Sequence, residues 1–278
     1  MGSLGSLVAV YQYDWSIFFR SIFLPDGQIL SGVWLTVSIA VTAQIIGVIL
    51  GTLAALARMS KTTPLRLFAG FYVWFFRGTP LLVQISFVFY GLSVSGIYTW
   101  PDFVVPGVGF IIAGAVQAGI FALGLNEGAY MSEIVRAGIL SIDRGQMEAA
   151  KSLGMTYRLG MRRIVLPQAA RIIIPPLGNE FNNMLKTTSL LIAISVAELY
   201  VVFDMKNGTV FHPFELFLAA AVWYLLLTTI WGLIQSRLER RFARGANTDE
   251  IDGPGFRDRL FGSRRVAVEA GGPNSGGR

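Results

Sequence analysis

Cysteine is absent from this 278-residue chain, and histidine occurs once, at His212. A disulfide framework, a thiolate metal site and a cysteine nucleophile are therefore excluded. A lone imidazole cannot build a multi-histidine metal site. Charge is scarce too: Asp, Glu, Lys and Arg make up 14% of the residues, against about a quarter in a soluble domain. The chain has no Gly-x-Ser-x-Gly elbow for a nucleophile and no Gly-x-x-x-x-Gly-Lys-Ser/Thr phosphate loop, so it cannot hydrolyse ATP alone. The first residues lack the basic start, apolar core and small-residue cleavage site of a signal peptide. What the chain does have is apolar side chains, 53% of its residues.

Those apolar residues gather into five stretches long enough to cross a hydrocarbon core of about 30 Å. They lie near 30–57, 67–92, 108–136, 176–202 and 214–233. Ahead of the first, Trp15, Phe18, Phe19 and Phe23 with Arg20 predict a short aromatic helix lying on the membrane surface. After the last, the Arg- and Gly-rich sequence reads as a solvated, partly disordered tail. The expected organisation is an interfacial segment over 1–29, a membrane domain over 30–235 and a cytoplasmic tail over 236–278.

The net charge of +6 is distributed with a strong bias. Arg58, Lys61 and Arg66 lie between spans one and two. Arg144, Lys151, Arg158, Arg162, Arg163 and Arg171 lie between spans three and four, and Arg237, Arg240, Arg241 and Arg244 follow span five. The opposite side has only Arg20 and Lys206. Because basic loops stay in the cytoplasm, the pattern predicts an outside N-terminus and a cytoplasmic C-terminus. It also removes nucleic acid as a partner and makes lipid the surrounding medium.

The most informative stretch is 141–167, SIDRGQMEAAKSLGMTYRLGMRRIVLP. Helix-forming residues run to Leu153, Gly154 can end the helix in a left-handed cap, Thr156 can start another, and Pro167 suits the first turn of the next helix. The expected result is an exposed helix–Gly–helix elbow, suited to the grip of a soluble partner. Glu148-Ala149-Ala150, Gly154 and Ile164-x-Leu166-Pro167 resemble the EAA…G…I-x-LP motif of permeases of bacterial ATP-binding-cassette (ABC) importers. The segments 75–84 (FFRGTPLLVQ), 128–136 (GAYMSEIVR) and 185–190 (LKTTSL) resemble the polar amino-acid branch of that family. In the last segment Thr187 stands where an Asp is usual, so no role of an acid is carried over there.

The resemblance implies an all-α integral membrane protein of the type I importer fold, with five transmembrane helices and the elbow between spans three and four. It further implies a second permease subunit, identical or related, two ATPase subunits that hold ATP and Mg, and an external solute-binding protein. The location would be the bacterial cytoplasmic (inner) membrane. No cofactor or metal is expected in this chain, which is not itself an enzyme. Glu148, Ala149, Ala150, Gly154, Leu166 and Pro167 would form the ATPase-coupling elbow.

Ionisable and amide side chains at membrane depth need a cavity or a partner. At 100° per residue, Asn179, Glu180, Asn183, Lys186 and Thr187 share an arc of about 120°, with Phe181, Met184 and Leu185 opposite. Arg77 and Gln84 in span two, and Glu127, Tyr130 and Glu133 in span three, complete the candidate solute path. A zwitterion needs both donors and acids, and this set supplies both; packing among the helices would use the same residues. Gly78-Thr79-Pro80 predicts a kink beside Arg77. A proton- or ion-coupled secondary amino-acid transporter, using Glu127 or Glu133, is the alternative; such folds usually carry internal repeats, and none is visible here.

Overall fold

The computed structural model describes residues 12–104 and 111–243. Of the tail read over 236–278, residues 236–243 are helical; 244–278, the residues before 12 and the start of the third stretch at 108–110 lie outside the described residues.

Asp14 caps α1 (Trp15–Phe23), the aromatic surface helix expected from sequence, through the Ser16 N–H. Asp26 then caps α2 (Gly27–Arg58) through the Ile29 N–H and pairs with Lys206. Partial burial works against the Asp26 charge, but the Lys206 ammonium and the Ile29 N–H outweigh it and hold the carboxyl below its usual range. Two helices, α3 (Thr63–Gly78) and α4 (Leu81–Ser86), follow; α4 continues through a π-helical turn (Phe87–Gly91) into α5 (Leu92–Val94). The kink expected at 78–80 is a full break: the two arms are bent by 106°.

Strands β1 (Phe103–Val104) and β2 (Ile111–Ile112) form an antiparallel ribbon, a small departure from an all-α chain. Asp102 accepts from the Gly114 N–H at 2.8 Å and so fixes the start of α6 (Gly114–Leu140). That start is later than the apolar run suggests, because the ribbon takes up Ile111 and Ile112. The elbow helices α7 (Arg144–Ser152) and α8 (Tyr157–Gly160) come next. A π-helical turn (Met161–Val165) leads without interruption into α9 (Leu166–Thr187). The helix thus begins beside Pro167, as expected, ahead of the apolar stretch read from near 176. Pro175 and Pro176 sit inside α9, and Pro167 follows directly on the π-helical turn.

A 3₁₀ segment (Thr188–Ile194) and left-handed Ser195, at φ 56°, separate α9 from α10 (Leu199–Val210). The pair is bent by 50°. The last helix is α11 (Pro213–Ala243). Among the described residues, α2 and α11 are each long and apolar enough to cross a membrane, and up to four spans result if each bent pair counts as one. The 27 residues of α6 reach about 40 Å at roughly 1.5 Å per residue, but Gln117, Asn126 and Glu127 lower its apolar character.

The contact between α2 and α6 is built on glycine. Gly47-x-x-x-Gly51 faces Gly124-x-x-x-Gly128, the small-residue spacing that lets membrane helices approach closely. A Cβ on Gly51 would come within 2.8 Å of the Gly128 carbonyl oxygen and 2.9 Å of the Ser132 N. A Cβ on Gly124 would meet Ile46 Cγ2 at 2.8 Å, and one on Gly128 would meet Leu50 Cβ at 2.9 Å. Around this seam Ile39, Ala43, Ile85, Leu123, Leu185 and Leu191 form the largest core cluster.

Candidate functional site: an elbow, a polar face and a basic cluster

The elbow closes as its residues predict. Gly154 has φ +76°, its N–H donates to the Lys151 carbonyl at 2.9 Å, and the Met155 N–H donates to the Ala150 carbonyl at 3.0 Å. These two bonds make a Schellman cap, which needs a left-handed residue where glycine is least strained. Thr156 accepts from the Leu159 N–H at 3.4 Å and starts the second arm.

Within the motif the side chains divide. Glu148 and Ala149 are exposed, and Leu153 is 80% and Tyr157 60% exposed. Ala150 is buried, against the other arm: a Cβ on Gly160 would lie 3.3 Å from its methyl and 3.0 Å from Met147 Sδ. Ala150 therefore clamps the two arms together, and Gly160, which the sequence reading passed over, makes room for it. Leu166 is exposed and Pro167 lies beside it in the first turn of α9. Met147, Ile142 and Met161 join the elbow to Ala55, Val135, Ile139, Val165 and Ala169, at the ends of α2, α6 and α9.

On α9 the expected arc is present. Asn179, Asn183 and Lys186 are exposed and Glu180 is half-buried, while Phe181, Met184 and Leu185 are buried. Asn179 Oδ1 accepts from Gln235 Nε2 at 3.1 Å. Lys186 borders an open cavity of about 400 Å³ with Ser189, Tyr200, Phe217 and Tyr224, where the Tyr200 and Phe217 rings stack at 5.8 Å. The helix thus turns polar groups outward, on an element that lies between two long apolar helices in sequence.

The remaining candidates are not on that face. Gln84 is buried at the 106° break. Its Nε2 donates to the Phe76 carbonyl at 2.9 Å and to the Thr79 hydroxyl at 2.8 Å, and its Oε1 accepts from Asn126 Nδ2 at 3.0 Å. Gln84 and Asn126 thereby satisfy backbone groups that the break sets free, as irregular backbone at membrane depth requires. Glu127 is buried and accepts from Gln44 Nε2 at 2.8 Å, beside Gly47. Both side chains make their hydrogen bonds to neighbouring helices within the chain, away from the α9 face.

Arg77 and Glu133 form a separate cluster. Glu133 Oε1 takes Arg58 at 2.9 Å and Arg77 at 3.3 Å, and Oε2 takes Arg136 at 3.4 Å. The Arg77 guanidinium lies 5.3 Å from the Tyr130 ring centre. Arg58 is the last residue of α2, so the Arg77 head group is drawn back toward the elbow end of the bundle.

Sequence reasoning also missed Glu198. It is fully buried, caps α10 through the Val201 N–H at 3.0 Å, and accepts from Tyr224 Oη at 2.7 Å and Thr36 Oγ1 at 3.2 Å. It therefore pins the broken fourth stretch to α2 and α11. The signal was present: an acid among Val196, Ala197 and Leu199 at membrane depth calls for a partner.

The description "Binding-protein-dependent transport system inner membrane component" belongs to a family model that matches residues 47–244. The chain belongs to this family of permeases. The permease is 42% identical over 237 residues to the arginine transport system permease protein ArgU of Corynebacterium glutamicum, covering 84% of this chain and 73% of that one. It is 39% identical to the L-cystine transport system permease protein TcyB of Bacillus subtilis, over 77% of this chain and 86% of the relative. Among solved structures it resembles an amino acid ABC transporter crystallised with histidines, at TM-score 0.72 and 36% identity, over 83% of the permease and all of that chain. The MetNI methionine ABC transporter, at TM-score 0.60 and 17% identity over 77% of the permease and 95% of its chain, shares the fold.

Proposed function

We propose that this permease carries a polar amino acid into the cytoplasm as one of two permease subunits, driven by two ATPase subunits and fed by an external solute-binding protein. The observation that carries the reading is the elbow, an exposed, internally clamped unit whose Leu153 and Tyr157 stand out for a soluble partner. ATP and Mg belong to that partner. Five spans complete the proposal: α2, the bent pair α3 to α5, α6, the broken run from α9 to α10, and α11, with the N-terminus outside. The charge bias supports this orientation. The amino-acid class is supported by the relatives named for arginine and L-cystine transport and by the outward polar face of α9.

The purified permease should bring an ATPase with it, and reconstituted complex should accumulate labelled arginine or cystine only with ATP. A preparation that accumulates solute without any ATPase would overturn the reading in favour of ion-coupled transport. A cytoplasm-dependent reporter should work after Arg241 and stay silent near Ser93; the reverse would invert the proposed topology.

On the α9 face, Glu180 is the half-buried acid placed to receive an ammonium or guanidinium group. Glu180→Gln is expected to weaken transport of a cationic amino acid at least tenfold, since losing a buried charge partner costs about 2–5 kcal/mol. A neutral solute should lose less, and melting temperature should hold. Equal losses for both solutes together with a lowered melting temperature would assign Glu180 to helix packing instead.

A further inference from the structure

The cluster around Glu133 has more positive charge than it can neutralise internally. Three guanidinium groups, from Arg58, Arg77 and Arg136, share one carboxylate. Beside them lies an open cavity of about 390 Å³, lined by Arg58, Arg77, Glu133, Tyr130, Trp74 and Val73. An uncompensated charge of this size at the edge of a hydrocarbon core is costly unless an anion or water meets it. The adjoining outer surface of α3 is apolar and aromatic: Phe71 is 60% and Trp74 69% exposed, with Leu67 and Phe68 continuing the strip. A fork of guanidinium donors matches phosphate oxygens, and an aromatic strip running away from it matches acyl chains.

We propose that this cavity binds the phosphate of an anionic phospholipid, drawn from the leaflet on the elbow side, with its chains lying along α3. Arg58 and Arg77 hold the phosphate oxygens. Glu133 holds the three guanidinium groups in place through one contact each and leaves their other N–H donors for the phosphate. Basic pockets on the cytoplasmic side of membrane proteins suit anionic headgroups; that this leaflet is the cytoplasmic one rests on the orientation proposed above, whereas the site itself does not.

The test uses the full chain purified in a neutral detergent with the subunits that accompany it. Melting temperature is followed while phosphatidylglycerol, phosphatidylcholine of the same chains, or inorganic phosphate is added. Phosphatidylglycerol should give a saturable rise that phosphatidylcholine does not. Arg77→Gln, which leaves Glu133 paired with Arg58 and Arg136, should weaken the apparent affinity about tenfold, the order of one charge-assisted contact. Gly70→Glu keeps every arginine and places an acid at the cavity wall, where a Cβ meets nothing within 4 Å; it should weaken affinity similarly. Equal rises with both lipids, or an undiminished phosphatidylglycerol effect in both variants, would sink the proposal. A full rise with inorganic phosphate at the same concentration would replace the lipid with a free anion. Neither result depends on transport, so a failure here is separable from a failure of the importer reading.

Discussion

Gly51→Leu is expected to leave almost no folded permease. The new side chain would enter the seam where a Cβ alone lies 2.8 Å from the Gly128 carbonyl oxygen and 2.9 Å from the Ser132 N. Those are backbone atoms of α6, so no rotamer change relieves the overlap and the two helices must separate. Overpacking a core costs about 1–3 kcal/mol when side chains alone must move, and here the backbone must move, against a total stability of about 5–15 kcal/mol. Detergent-solubilised yield and melting temperature provide the measurement. The matched pair Gly51→Ala and Gly208→Ala sharpens it, because a Cβ at Gly208 meets nothing within 4 Å. The same chemical change should lower the melting temperature in α2 and hold or raise it in α10, where alanine is the better helix former by about 0.5–1 kcal/mol. If Gly51→Leu purifies at normal yield with an unchanged melting temperature, the glycine seam does not hold the helices.

Gly154→Val is expected to act in the opposite manner, sparing the fold and removing the coupling. A Cβ at Gly154 meets nothing within 4 Å, so sterics with neighbours play no part. The strain is in the backbone: φ is +76°, a region that costs an L-residue about 1–2 kcal/mol and is least tolerated by β-branched side chains. Relieving it means opening the Schellman cap and swinging α8 relative to α7, which displaces Leu153 and Tyr157. Solute-stimulated ATP hydrolysis should fall more than tenfold, or the ATPase should dissociate, while the melting temperature of the chain changes little. Gly154→Asn should retain much of the coupling, since asparagine visits the left-handed region more readily. Full solute-stimulated hydrolysis in both variants would show that the elbow's cap geometry does not matter to the ATPase.

The elbow was legible in the sequence because its determinants are local. Gly154 ends one helix, Thr156 starts another and Pro167 sits in a first turn, and none of these needs a distant partner. The outward arc of α9 was legible for the same reason, since helical periodicity alone separates Asn179 and Asn183 from Phe181 and Leu185. The break at 78–80 was legible as a kink but not as a 106° turn, because Gln84 and the distant Asn126 supply the hydrogen bonds that permit it. The start of α9 was legible at Pro167, but Pro175 and Pro176 make no break in it, and the interruption falls at Ser195, a residue with no strong breaking tendency. The roles of Gln84 and Glu127 depended on which helices meet, which composition does not reveal. The two Gly-x-x-x-Gly pairs were visible as spacing, but their meaning required knowing that α2 and α6 lie side by side.

The glycine seam also divides the molecule mechanically. Helices in contact at that distance cannot slide past one another without lifting apart, so α2 and α6 form one stiff strut about 40 Å long. The elbow is bolted to one end of the strut through Ala55, Val135 and Ile139, and Asp26 with Lys206 tethers the other end. The polar face of α9 lies on the element that the strut does not include, between Pro175 and the left-handed Ser195. The elbow is thus joined both to this strut and, through the π-helical turn, directly to α9. At the far end α10 is fastened to the same strut twice, by Lys206 on Asp26 and by Glu198 on Thr36, so the chain between Pro175 and Ser195 is held at both its ends.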